Sequence, residues 1–113
     1  MTKHSKAMVL PRKVRRNLET AGEQIKLARK RRSLSLEAVA ERAQCTKLTL
    51  MRVEKGTPTV SIGIYARVLY ALGLDDDLLF LAQKDQAGQA LVDAKLMRKN
   101  EKNHEDEEYD VFD

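Results

Sequence analysis

Apolar positions spaced three and four apart mark a succession of short helices along the chain, and the sharpest pair lies at residues 35–55. In SLEAVAERAQCTKLTLMRVEK, Leu36, Val39, Ala40 and Ala43 fall at i, i+3, i+4 and i+7, and Leu50 and Val53 follow three apart. Ser35 and Thr46 stand directly before the two periods, where a hydroxyl accepts a hydrogen bond from an otherwise unpaired helix amide. Only Gln44 and Cys45 are left between them. Two helices joined so closely cross steeply, so the crossing needs a small side chain and the second helix needs an aliphatic inner face. Ala40, Leu50 and Val53 supply them.

The flanks continue the pattern. Upstream, Leu18, Ala21, Ile25 and Ala28 predict a helix from about Leu18 to Arg32, with Lys26, Arg29, Lys30, Arg31 and Arg32 over its remaining surface. Downstream, KGTPTVSIG reads as a loop, and Ser61 caps a fourth helix from Ile62 to about Leu72 with Ala66, Leu69 and Leu72 inward. Gly73 stands where a left-handed cap is wanted, and Leu74 can fold back on the helix it ends. Asp75 or Asp76 then opens a fifth helix, apolar nearly all round at Leu78, Leu79, Phe80 and Leu81. One side of a small domain cannot hide all four, so part of this helix is expected to face a second copy; burial in the core is the plainer alternative. Residues 87–97 allow one more short helix with Leu91, Ala94 and Leu96 inward. The fold expected is all-α: a five-helix domain over residues 18–82, preceded by an arm of residues 1–17 and followed by a helical extension, 83–99, and a tail, 100–113.

Charge changes the picture. The arm holds Lys3, Lys6, Arg12, Lys13, Arg15 and Arg16 and no acidic residue. In the tail, seven acidic residues (Glu101, Glu105, Asp106, Glu107, Glu108, Asp110 and Asp113) stand against Lys102 alone, so the tail carries −6 and the rest +10 of a chain whose net charge is +4. A body so cationic suits a polyanion. A membrane surface would want bulky leucines or aromatics opposite the cations, where the first helix offers mainly Ala and Ile. No apolar run approaches the roughly 20 residues of a membrane span and no signal-peptide core is present, which places the expected protein in the cytoplasm, with the nucleoid.

With 113 residues, 4% aromatic content and no Trp, the core is small and aliphatic, and a second subunit would help it. Lone Cys45 reads as buried packing, and His4 and His104 at opposite ends make no metal cluster. No nucleophile with its base, carboxylate pair or phosphate-cradling loop can be assembled, so neither an enzyme nor a cofactor is expected.

The remaining chemistry lies on the outer face of the second motif helix, where Lys47, Leu48, Met51, Arg52 and Lys55 present cations at start, middle and end. Such a face enters a DNA groove, with Lys47 and Arg52 toward base edges and Leu48 or Met51 against thymine methyls, while Ser35 and Thr46 lie near phosphates. A helical hairpin that only packs, its charged side solvated, meets the same pattern. Arg15 and Arg16 either add phosphate or minor-groove contacts or only keep the arm soluble. Tyr109, Val111 and Phe112, the bulky apolar groups of the acidic tail, are candidates for docking a partner; a mimic of DNA phosphate and simple solvated disorder are the competing readings.

From about Leu18 to Ala82 the chain resembles the XRE or lambda-repressor-like helix-turn-helix family: Ala40, Leu50 and Val53 match its helix-packing positions, and RVEKG and VSI look like its signature after the recognition helix. VLPRKVRRNL, EKGTPTVSIG and LGLDDDLLFLAQKD followed by DAKL are similar to HipB-type antitoxins. The resemblance implies a homodimeric repressor of operator DNA, the antitoxin partner of a HipA-like kinase or of an associated toxin-complex subunit, and autoregulator of its own operon. A module that docks a partner enzyme with DNA binding incidental, and a phage-type repressor without a toxin, are the other two readings. Two positions depart from the family: Gln44 replaces the usual turn Gly, which costs about 1 kcal/mol or changes the turn, and Leu36 replaces a frequent phosphate-binding Gln.

Overall fold

A computed structural model of the chain describes residues 9–102, with side chains to residue 100. Two compact units divide at Leu78 and Leu79. The first unit holds α1 (Arg12–Arg31), α2 (Leu36–Ala43), α3 (Lys47–Glu54), α4 (Ile62–Ala71) and most of a 3-10 helix (Asp75–Phe80); the second holds α5 (Gln86–Lys102). Among the described residues there is no strand, so the all-α class and the order of the five expected helices stand.

Helix α1 begins six residues before the expected Leu18, so Arg12 to Asn17, assigned to the basic arm, form its first turns. Pro11 directly precedes it at φ −57 and ψ 147, a conformation its ring favours, and its carbonyl accepts the Arg15 amide at 3.0 Å. Arg and Lys are good helix formers even without an apolar partner, which is why a cationic run read as an arm continues the helix. The inner face is also turned by one residue: Gly22, Ile25, Ala28 and Arg29 are buried and the expected Ala21 is exposed. Gly22 is there because the backbones touch. A Cβ on it would lie 2.5 Å from the Gly56 nitrogen and 2.7 Å from the carbonyl oxygens of Val53 and Glu54.

Helices α2 and α3 follow the sequence reading residue by residue. Ser35 Oγ accepts from the Ala38 amide at 3.0 Å and Thr46 Oγ1 from the Thr49 amide at 3.1 Å. Val39, Ala43, Leu50, Val53 and Val68 are wholly buried, with Ile25, Ala28, Ala40 and Leu72 around them. In α4 the centre of the inner face is thus Val68, where Ala66 and Leu69 were expected and are only half-buried. Helix α2 packs on α3 and α4, and α1 packs on α3.

Four helices close with the same device. After α1, α2, α3 and α4, the residues Ser33, Gln44, Gly56 and Gly73 take φ of 55, 57, 73 and 77, and the amides of Leu34, Cys45, Thr57 and Leu74 reach back to the carbonyls of Arg29, Ala40, Arg52 and Leu69. Gln44 therefore keeps the left-handed turn rather than changing it.

The fifth helix is 3-10 and stops at Phe80; three aspartates at its start are weak helix formers, and Ala82 at φ 59 turns the chain soon after. In the second unit, Asp85 Oδ1 accepts the Gly88 amide at 3.0 Å near the start of α5, which runs beyond the expected 87–97 and into what was read as tail. Leu91, Ala94 and Leu96, expected inward, are exposed, because no second helix is present in the described part of this unit to cover them.

Candidate nucleic-acid interface

Helix α3 has an inner and an outer side that share no residue. Leu50, Val53 and Glu54 are buried, whereas Lys47, Leu48, Met51, Arg52 and Lys55 at its end are exposed. Leu48 is 55% exposed and Met51 38%, large values for apolar side chains in a small domain. Among the described residues Arg52 has no carboxylate partner.

Lys47 differs. Its Nζ lies 2.9 Å from Glu37 Oε2, an ion pair that joins the first turns of α2 and α3 across an exposed surface. The hydrogen bond from Lys47 is the main cause holding the Glu37 carboxyl below the usual carboxylate range. The hydroxyl of Thr46, expected near a phosphate, also donates to Thr49 Oγ1 at 2.9 Å, so its proton is engaged in the cap. Ser35 is exposed at the start of α2.

The orientation of α3 is fixed at its far end by a buried ion pair whose Arg29 was expected on the outer surface of the first helix. Arg29 Nε and Nη2 donate to Glu54 Oε2 and Oε1 at 2.7 and 3.1 Å, and Nη1 donates to the Leu34 carbonyl at 3.1 Å. Both residues are 8% exposed. This two-pronged geometry satisfies the guanidinium and holds α1, the α1–α2 turn and α3 together; the hydrogen bond to Glu54 raises the Arg29 pKa further, against the opposing effect of burial. The sequence did carry a signal: Arg29 falls four residues after Ile25 and Glu54 four after Leu50, so each sits on an apolar face with opposite charge to the other.

Behind α3, Tyr65 Oη donates to the Thr57 carbonyl at 3.0 Å and steadies the loop that leaves the helix; burial pushes its phenol pKa up. Cys45, half-buried against the core, has its thiol pKa raised by desolvation, with Arg67 opposing, in keeping with the packing role. Arg15 and Arg16 are exposed on α1, less than one turn before Leu18, whose carbonyl abuts Gly56 just past α3. Arg12, Arg15 and Arg16 thus belong to the helix that touches the end of α3.

Of the four residues expected at a dimer contact, Leu78 is half-buried while Leu79, Phe80 and Leu81 are exposed, at 73%, 60% and 63%. Tyr109, Val111 and Phe112, like Lys3 and Lys6, lie outside the described residues.

A family profile for the helix-turn-helix domain matches residues 20–80, more than half of the chain, and covers α2, the Gln44 turn and α3 at its centre. The chain belongs to the helix-turn-helix domain family. This is a DNA-binding family of XRE-like type, whose members are generally non-enzymatic. No curated protein and no solved structure matches the chain. Among the described residues, no helix is long and apolar enough to cross a membrane.

Proposed function

We propose that this helix-turn-helix protein is a sequence-specific transcriptional repressor that binds operator DNA as a homodimer. The outward side of α3 carries the reading: Leu48, Met51, Arg52 and Lys55 are exposed on a helix whose opposite side is wholly committed to the core. In it Arg52 meets a guanine edge, Leu48 or Met51 a thymine methyl, and Lys55, Arg15 and Arg16 phosphates. A two-fold dimer presents two reading helices, as half-sites about one DNA turn, ~34 Å, apart require, and exposed Leu79, Phe80 and Leu81 are the contact we propose for it. Mobility shift of the DNA upstream of its own gene, against random duplex as competitor, tests this. Retardation that survives excess random duplex is expected; equal loss to any competitor would overturn sequence-specific repression.

The finer role we propose is that of an antitoxin that represses its own operon and binds a HipA-like kinase or a subunit of that toxin complex. It rests on the resemblance of VLPRKVRRNL, EKGTPTVSIG and LGLDDDLLFLAQKD to HipB-type antitoxins. A kinase-like reading frame beside the gene, and co-purification of its product, is the expected observation. Exposed Leu91 and Met97 on α5 favour a second activity in the same chain, docking of a partner through the unit that begins at Leu79.

A further inference from the structure

The Glu37–Lys47 pair is out of place on a surface built to meet phosphates. The carboxylate is exposed, sits in the first turn of α2, and lies 2.9 Å from the only cation at the start of α3. It does not serve the core, since neither side chain is buried and both helices already have capping hydroxyls in Ser35 and Thr46. On a DNA-facing surface a carboxylate repels the backbone and a paired ammonium presents little net charge to it.

Resting on the DNA-reading role proposed above, we infer that Glu37 is a positioning residue that sets specificity, by holding Lys47 away from non-specific phosphate contact until α3 is seated on its correct site. Affinity for random DNA comes from ammonium and guanidinium groups that displace counterions anywhere along the duplex. A Lys held by a carboxylate is withheld from that count. At the correct site the neighbouring contacts of α3 fix the helix against the groove, and Lys47, whose ammonium has three N–H donors, keeps Glu37 on one of them and gives another to an acceptor on the DNA, so the pair is not broken there. Discrimination is a difference of two affinities, and Glu37 widens it by lowering the unwanted one. The hydrogen bond from Lys47 lowers the Glu37 carboxyl pKa, which favours the carboxylate form.

The test compares wild type, E37Q, K47Q and the double variant on two probes, a duplex selected by the wild type from a random library and an unselected random duplex, each titrated across salt. E37Q should bind the random duplex about two- to fivefold more tightly, the range set by an exposed ion pair. Its slope of log affinity against log salt should steepen by about 0.9, one added phosphate contact. Affinity for the selected duplex should change less, so the ratio falls. In the K47Q background the E37Q gain should shrink to what removal of the carboxylate's own repulsion supplies, with no added phosphate contact in the slope. An unchanged slope for E37Q, or a gain and slope change equally large without Lys47, overturns the inference while leaving DNA reading intact. A wild type that selects no sequence from the library overturns the repressor proposal and this one together. Thermal melts of the exposed-site variants, expected to match wild type, establish that the comparison is between folded proteins.

Discussion

Three side chains define what the interface can do and how firmly it is held. Arg52, exposed in the last turn of α3 without an acidic partner among the described residues, is the expected base reader. Arg52→Ala should cost about 1–3 kcal/mol on the selected duplex and much less on random DNA, read by fluorescence anisotropy; equal losses would reduce it to a phosphate contact. Glu54 faces a guanidinium that is largely buried, at 8% exposure. Glu54→Ala should therefore lower unfolding free energy by about 3–5 kcal/mol in urea titration, because the Arg29 charge stays buried without its partner. Replacing both with apolar groups of similar volume should be far milder. Cys45 gives a pH dependence. Its thiol pKa is raised by desolvation in the folded chain, so its alkylation rate should rise with a midpoint above the ordinary value of about 8.5. The same shift makes the folded state bind the proton more tightly than the unfolded one. Its contribution to stability is thus full below the unfolded thiol pKa and is lost as pH rises through the folded one.

Among the elements, the turn between α2 and α3 is strained and the contact between α1 and α3 is not. Gln44 sits at φ 57 and ψ 46, where a Cβ is unfavourable. Gln44→Gly should stabilise the domain by about 0.5–1 kcal/mol after the added freedom of the unfolded glycine is counted, seen as a rise in melting temperature of roughly 2–8 °C. Gly22→Ala should act oppositely, since its Cβ meets backbone that cannot swing aside. These two sites also explain what the sequence could and could not reveal. The motif helices were legible to the residue because Ser35 and Thr46 mark their starts and Val39, Ala43, Leu50 and Val53 keep helical spacing. Helix α1 was misplaced at its start because Arg12 to Asn17 are mostly cationic and show no apolar period, and at its face because two of its four buried residues, Gly22 and Arg29, do not register as apolar. The Arg29–Glu54 and Glu37–Lys47 pairs join residues 25 and ten apart, and only the crossing of the helices brings them together. The 3-10 form of Asp75–Phe80 escaped because hydrophobic content without clear periodicity does not distinguish one helix type from another.

For the whole molecule, assembly and charge remain to be set against DNA binding. Exposed Leu79, Phe80 and Leu81 predict a dimer, and replacing Leu79 and Phe80 with polar residues should lower both the sedimenting mass at micromolar concentration and the steepness of operator binding. A well-folded monomer in the wild type would remove this route to two reading helices. Since α5 continues to Lys102, the acidic tail is best cut after it. Deleting residues 103–113 takes away six carboxylates tethered to a cationic body and should tighten binding to random DNA at low salt, an effect fading as salt is raised. Unchanged DNA binding with lost affinity for a kinase-like partner would instead assign Tyr109, Val111 and Phe112 to docking. The clean separation of the two sides of α3 has a bearing on descent. Because Leu48, Met51, Arg52 and Lys55 lie outside the buried interior, substitutions there leave the fold standing; on the proposed reading they change the sequence sought, so relatives would part ways in their targets by drift at four positions.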